Sequence, residues 1–228
     1  MFINPSKPID AINRLINILS PLGKTTYIPR GRKVALNNNN ASYVYVIFSG
    51  RTSLNRKIDN LLITSENGPS IFGLSEMLGP LNAHTLQAET RCLALKINSI
   101  RAKSHIEKHN LWKDVTKVLV FYTSIMLHRD MIIVNQRTFN TVCYFLLEID
   151  LLPTAIRRRI NIIHYIQCRT DISRSSILNA ITSLKKDRLI HLERGAVGLD
   201  IYDRRDLLNL LPWPNENSPH DSQKQVPI

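Results

Sequence analysis

The segment Ser173 to Lys186 (SRSSILNAITSLKK) puts several chemically useful residues at helical spacing. Ser173 suits an N-cap, because its hydroxyl can accept from the free N–H groups of a first helical turn. Ile177, Ala180, Ile181 and Leu184 fall at i, i+3, i+4 and i+7, which predicts one buried face. The opposite face carries Arg174, Ser175, Asn179 and Thr182, with Lys185 and Lys186 near the end. Such side chains can read DNA: arginine matches O6 and N7 of guanine, and asparagine matches N6 and N7 of adenine. Arg174, Ser175 and Asn179 are therefore the candidate base contacts. Ser173, Ser176, Thr182, Lys185 and Lys186 are candidate phosphate contacts, which fix register without carrying sequence information.

The flanking residues are those needed to position such a helix. Residues 162–169 (IIHYIQCR) predict a short helix, Thr170-Asp171-Ile172 a tight connection, and residues 187–202 two short strands around Arg194-Gly195, a wing. Short helix, turn, capped basic helix and wing, in that order, predict a winged helix-turn-helix. From Leu151 to Arg194 there are nine Lys or Arg against three Asp or Glu, a local net charge of +6. Half of the chain's formal charge of +12 thus lies in under a fifth of its 228 residues. A patch that binds a phosphate backbone explains that concentration.

The rest of the chain reads as two further parts. Residues 8–19 predict a short amphipathic helix on Ile9, Ile12, Leu15, Ile16 and Leu19. Between 25 and 97, short apolar runs alternate with Gly, Asn and Pro: Tyr43–Phe48, Leu61–Thr64, Ser70–Phe72, Thr85–Ala88 and Leu93–Ile97. They predict a small β-barrel or sandwich, with Asn37–Asn40 as a hairpin tip. From about Glu107 a helix of some thirty residues is expected. Leu111, Val118, Ile125 and Ile132 repeat every seven residues, as do Trp112, Leu119, Met126 and Ile133, with Val115 and Tyr122 between them. Sustained sevens predict a seam with a second copy of the chain, against the alternative of a helix buried within one subunit. Residues 138–152 predict a further helix stopped by Pro153, and 212–228 a polar, Pro-rich disordered tail.

Other chemistries lack their signatures. There is no G-x-S-x-G, P-loop or H-E-x-x-H, so no catalytic residue is assigned. His105 and His109 are four apart on a helix but have no evident acidic or cysteine partner, so no metal or cofactor is expected. Cys92, Cys143 and Cys168 are widely spaced without C-x-x-C, which argues against a structural disulfide. No apolar run reaches the roughly 18 residues of a membrane span, and no secretory signal is evident, so a cytoplasmic protein that joins the nucleoid when bound to DNA is expected.

Residues 172–190 (ISRSSILNAITSLKKDRLI) resemble the recognition helix and following strand of the cAMP receptor protein and FNR superfamily of bacterial transcription regulators. Arg174 matches that family's base-contacting arginine, and Leu189-Ile190 its usual pair after the helix. The resemblance spans nearly the whole chain. It implies an α+β architecture: an N-terminal helix and cyclic-nucleotide-binding-like β-roll (1–104), a long dimerisation helix (105–136), a C-terminal winged helix-turn-helix (137–211) and a tail (212–228). It also implies a homodimer on double-stranded DNA, with RNA polymerase as a further partner. IFGL (71–74), NLW (110–112) and RTDISRS (169–175) resemble a divergent enterobacterial branch, the inhibitors of hydrogen peroxide resistance. Two departures matter. The family's nucleotide pocket uses Gly-Glu and then Arg-Ser, where this chain has Gly73-Leu74 and Asn82-Ala83. A cyclic phosphate would lose its cation, and tight cyclic-nucleotide binding is not expected. In the recognition helix, Ser175 stands for the usual Glu and Asn179 for the usual Arg, which predicts a different half-site. The remaining alternative is a ligand or redox sensor in which Cys168, or an effector in the β-roll, controls DNA binding.

Overall fold

A computed structural model describes residues 5–38, 41–79, 82–194 and 197–212. The chain forms two compact units, one over Asn4–Met131 and one from Ile132 onward.

The N-terminal unit runs α1 (Ile9–Leu19), a 3-10 turn (Ser20–Leu22), β1 (Thr25–Ile28), β2 (Lys33–Ala35), β3 (Asn37–Asn38), β4 (Ala41–Ser49), β5 (Arg51–Arg56), β6 (Leu62–Asn67), β7 (Ser70–Phe72), α2 (Leu74–Leu78), β8 (His84–Ala88), β9 (Cys92–Asn98), α3 (Ser99–Lys108) and α4 (Trp112–Ile133). Two antiparallel sheets result. One has the order β1-β9-β4-β3 with β7 also on β4; the other is β2-β8-β5-β6. The run YVYVIF in β4 is apolar throughout because both of its faces are covered. Tyr45 and Ile47 join Phe72 and Ala94 against Leu54, Leu86 and Ala88 of the second sheet. Val44 and Val46 point the other way, onto Ile12, Leu15 and Leu19 of α1 and onto Ala102 and Ile106 of α3. This is the two-sheet β-roll with helical cover that the sequence predicts.

The expected hairpin at Asn37–Asn40 is present in its described part: Asn37 and Asn38 pair with Ser42 and Ala41, and Asn38 Oδ1 accepts from Ala41 N at 2.9 Å. Asn39 and Asn40 lie outside the described residues, as do Gly195 at the wing tip and residues 213–228 of the expected tail.

The helix expected from about Glu107 is two helices. α3 ends at Lys108, Asn110 takes a left-handed φ of 54°, and α4 begins at Trp112. Asparagine tolerates that conformation better than other side-chain-bearing residues, so one residue redirects the chain. The start of α4 is held to α1 by a two-bonded ion pair, Arg14 Nε to Asp114 Oδ2 at 3.0 Å and Arg14 Nη2 to Asp114 Oδ1 at 2.6 Å. Arg14 holds the Asp114 carboxyl below its ordinary pKa. Val115 and Val118 are buried in their own unit, and Leu111, Trp112, Leu119 and Tyr122 pack on the same core. The repeat of seven therefore serves the fold of one chain along much of α4. Val120, Leu127 and Met131 are the large apolar side chains that α4 leaves in solvent, at 58%, 60% and 56% exposure.

The C-terminal unit runs α5 (Thr138–Asp150), α6 (Thr154–Arg157), α7 (Ile162–Gln167), α8 (Arg174–Lys186), β10 (Ile190–Arg194), β11 (Val197–Ile201) and α9 (Arg204–Asn209). One core joins Val142, Phe145, Leu146 and Ile149 of α5 to Ile163 and Ile166 of α7, Ile177, Ile181 and Leu184 of α8, Leu199 of β11 and Leu207 of α9. Among the described residues no helix is long and apolar enough to cross a membrane.

Gly73 is a point where backbone geometry dictates the residue. Its φ is +88°, and a Cβ there would sit 2.2 Å from the carbonyl oxygen of Tyr43 on β4. Gly73→Ala should lower unfolding stability by about 2–3 kcal/mol, read by denaturant titration, because both the conformation and the contact are unfavourable.

Candidate nucleic-acid interface

The pair α7–α8 is set by two side-chain caps. Asn161 Oδ1 accepts from His164 N at 3.0 Å and starts α7; Ser173 Oγ accepts from Ser176 N at 3.1 Å and starts α8. The short connection between the helices is closed by Thr170, whose buried hydroxyl donates to Ile166 O at 2.9 Å. α8 then splits as its sequence predicts. Ile177, Ala180, Ile181 and Leu184 are buried. Arg174, Ser175, Asn179, Thr182, Lys185 and Lys186 are exposed, and Ser176 is half-buried. The structure therefore brings the sequence-predicted residues onto one accessible helix face.

The first turn holds a hydroxyl cluster. Ser173 Oγ lies 2.9 Å from Ser175 Oγ and 2.8 Å from Ser176 Oγ. Ser175, a candidate base contact, is thus oriented by the cap itself. Lys185 and Lys186 lie in the last turn, where cations suit the helix dipole. β10 and β11 follow as an antiparallel hairpin, with Ile190 opposite Ile201 and Leu192 opposite Leu199.

Several cations around the helix pair have defined partners that the sequence pattern did not reveal. Asp150, at the end of α5, accepts from both Arg157 and Arg204, the latter at 2.5 Å. Arg158 lies 3.8 Å from Glu193. The Arg169 guanidinium stacks 3.5 Å over the Tyr165 ring, and its Nη1 donates to Tyr165 O at 3.0 Å. Stacking an aromatic on a guanidinium fixes a long side chain that would otherwise be mobile. Residues 54 apart, as Asp150 and Arg204 are, give no spacing signal; the i, i+4 relation of Tyr165 and Arg169 could have been read.

Cys168 is half-buried at the end of α7, with Sγ 3.4 Å from His164 Nε2. Burial pushes its thiol pKa up, despite Arg169 nearby. The thiols of Cys92 and Cys143 are also raised by burial, Cys143 to about 12. Of the positions that the resemblance aligns with a nucleotide pocket, Leu74 is a buried core residue, Asn82 Oδ1 accepts from Lys57 Nζ at 2.8 Å, and Ala83 O accepts from Lys57 N at 2.7 Å. Among the described residues no group of three or more His, Cys, Asp or Glu could hold a metal ion.

Comparison with known proteins agrees with this geometry. Residues 138–199 match the family described as "Winged helix-turn-helix DNA binding". The matched segment holds α7, α8 and the β10–β11 hairpin, the helix-turn-helix and wing described above. Over more than four fifths of the chain, the fold is similar to that of two solved transcription regulators. The c-di-GMP-responsive global regulator CLP of Xanthomonas campestris superposes with a TM-score of 0.68 at 14% identity, over 84% of this chain and 99% of that one. A CRP/FNR-family transcriptional regulator of Thermus thermophilus superposes at 0.55 and 16% identity, over 82% and 97%. These two neighbours are named as regulators, not as enzymes. Among curated relatives, the "Inhibitor of hydrogen peroxide resistance" of Salmonella typhimurium is 26% identical over 192 residues, 83% of this chain and 92% of the relative. The protein of that name in Escherichia coli K12 is 27% identical over 191 residues, 83% and 92% of the two chains.

Replacing Ser173 with Ala removes the acceptor for Ser176 N and the centre of the hydroxyl cluster. The C-terminal unit should lose about 1 kcal/mol of stability, measured by amide hydrogen exchange along α8.

Proposed function

We propose that this chain is a dimeric, sequence-specific transcription regulator of peroxide defence that works without a cyclic nucleotide. The observation that carries the reading is the split of α8 within a winged helix-turn-helix: a buried apolar face and an accessible face bearing Arg174, Ser175 and Asn179. In this reading those three side chains meet base edges in the major groove. Ser173, Ser176, Thr182, Lys185 and Lys186 serve the phosphates, the two hydrogen-bonded serines through what their hydroxyls and the first-turn amides have left to offer.

Pairing is supported by α4. Val120, Leu127 and Met131 lie on one side of a helix at spacings of seven and four, and all three are exposed. A second copy of the same helix would cover them, as an apolar seam requires. Loss of the nucleotide site is supported by the roll. Leu74 stands where the resemblance implies a glutamate, and Tyr122 and Met126 of α4 pack onto the roll's own core, the Tyr122 ring 5.4 Å from that of Phe72. The link to peroxide comes from the names of the curated relatives. It is assigned to the genes controlled and not to a thiol sensor, because burial raises the Cys168 pKa and a poorly ionised thiol reacts slowly with peroxide.

Two variants test the reading on duplexes enriched from a random-sequence pool. Arg174→Ala should lose about 1–3 kcal/mol of specific binding and relax one base position, whereas Lys186→Ala should weaken all sequences alike and reduce the salt slope by about one. Fluorescence anisotropy against salt separates the two effects; an Arg174→Ala protein that bound like wild type would contradict the assignment of α8. Leu127→Lys, which puts a charge into the seam, should shift the sedimenting species from dimer to monomer and weaken DNA binding with it.

A further inference from the structure

Leu178 is an apolar side chain on the wrong side of its own helix. The apolar stripe of α8 is complete without it: Ile177, Ala180, Ile181 and Leu184 are buried and belong to the core of the C-terminal unit. Leu178 is 38% exposed. Residues three and four apart are neighbours on a helix surface, which places Leu178 beside Arg174 and Ser175 toward the start of α8 and beside Thr182 one turn further on. All three of these neighbours are exposed. The leucine thus stands among the side chains that the accessible face presents.

We propose that Leu178 is a further specificity-determining residue: its side chain meets the 5-methyl group of a thymine in the major groove. The proposal rests on the reading of α8 as the DNA-reading element. A leucine exposed by itself carries no such meaning, because single exposed apolar residues are common. Its neighbours give it one. Arg174 suits guanine and Asn179 suits adenine, while cytosine is read through a carboxylate that accepts from its N4 amino group. α8 holds neither Asp nor Glu. The thymine methyl is the apolar feature that bases offer in the major groove. A face with a leucine and no carboxylate therefore selects thymine over cytosine. In water the exposed part of the leucine gains nothing; covering it with a methyl group removes apolar surface on both sides.

Helix geometry also sets where that thymine lies. Leu178 is four residues from Arg174, about 6 Å along the axis at 1.5 Å per residue. Successive bases of one strand are about 3.4 Å apart. The thymine is therefore within about two base pairs of the guanine that Arg174 contacts.

The test uses the full chain and a fluorescent duplex that the wild-type protein enriches from a random-sequence pool. Each thymine is replaced in turn by deoxyuridine, which pairs identically and lacks only the 5-methyl group. Wild-type binding should fall roughly 4-fold at one thymine in each half-site, as expected when one methyl group leaves an apolar contact. That thymine should lie within about two base pairs of the position relaxed in Arg174→Ala. Leu178→Ala should bind the thymine and deoxyuridine duplexes alike and keep the wild-type melting temperature, and Leu178→Met should discriminate as wild type does. Thr182 has a methyl group of its own, which Leu178→Ala leaves in place, so loss of discrimination in that variant assigns the contact to Leu178. The proposal is overturned if wild type ignores every deoxyuridine substitution, if Leu178→Ala still discriminates, or if that variant loses stability and affinity for a scrambled duplex together. Any of these results leaves the assignment of α8 standing while Arg174→Ala relaxes its base position. A wild-type chain that enriches no duplex, or an Arg174→Ala chain that binds like wild type, strikes the DNA-reading assignment itself and the role of Leu178 with it.

Discussion

Burial of one face of α8 is the constraint on which the interface depends. A helix of thirteen residues is marginal alone and needs tertiary packing to persist. Ile177, Ile181 and Leu184 supply it by inserting into the core made by α5, α7, β11 and α9. Each fully buried aliphatic side chain of this kind contributes on the order of 1.5–3 kcal/mol. Because the buried apolar residues lie on one side, the other side, which also carries the exposed Leu178, is free to present Arg174, Ser175 and Asn179 in water without loss of the fold. The caps at Asn161 and Ser173 then fix where each helix begins, and so which side chains stand in the first turn.

The N-terminal unit follows a similar logic with a different outcome. The central sheet is covered on both faces, by helices on one side and by the second sheet on the other. In the cyclic-nucleotide-binding proteins that the sequence resembles, a ligand occupies the roll. Here Tyr122 and Met126 pack against Phe72 and its neighbours, and Leu74 is buried. The domain is a two-sheet scaffold whose interior is filled by its own side chains. Its charge balance follows function elsewhere: the cations gather along 151–194, beside the helix pair.

Features encoded locally were legible in the sequence. The N-cap at Ser173, the i, i+3, i+4, i+7 stripe of α8 and the β-branched run of β4 each depend on neighbours within a few residues, and each appears in the structure. Features set by distant partners were not. The break at Asn110 is hidden because no proline or glycine interrupts the residues on either side of it, so the stretch reads as one helix. Which apolar stripe of α4 stays free is also hidden. Val115 and Val118 are as hydrophobic as Val120 and Leu127, and only the position of α1 and the roll decides which pair is buried.

The central claim is that α8, presented twice by a symmetric pair, reads DNA sequence. The most direct measurement is to sequence the duplexes that the full chain retains from a random-sequence pool. The account predicts an enriched inverted repeat whose two half-sites lie about 10 base pairs apart, one turn of the double helix. Retention of duplexes with no enriched sequence, at a level set by salt alone, would contradict it.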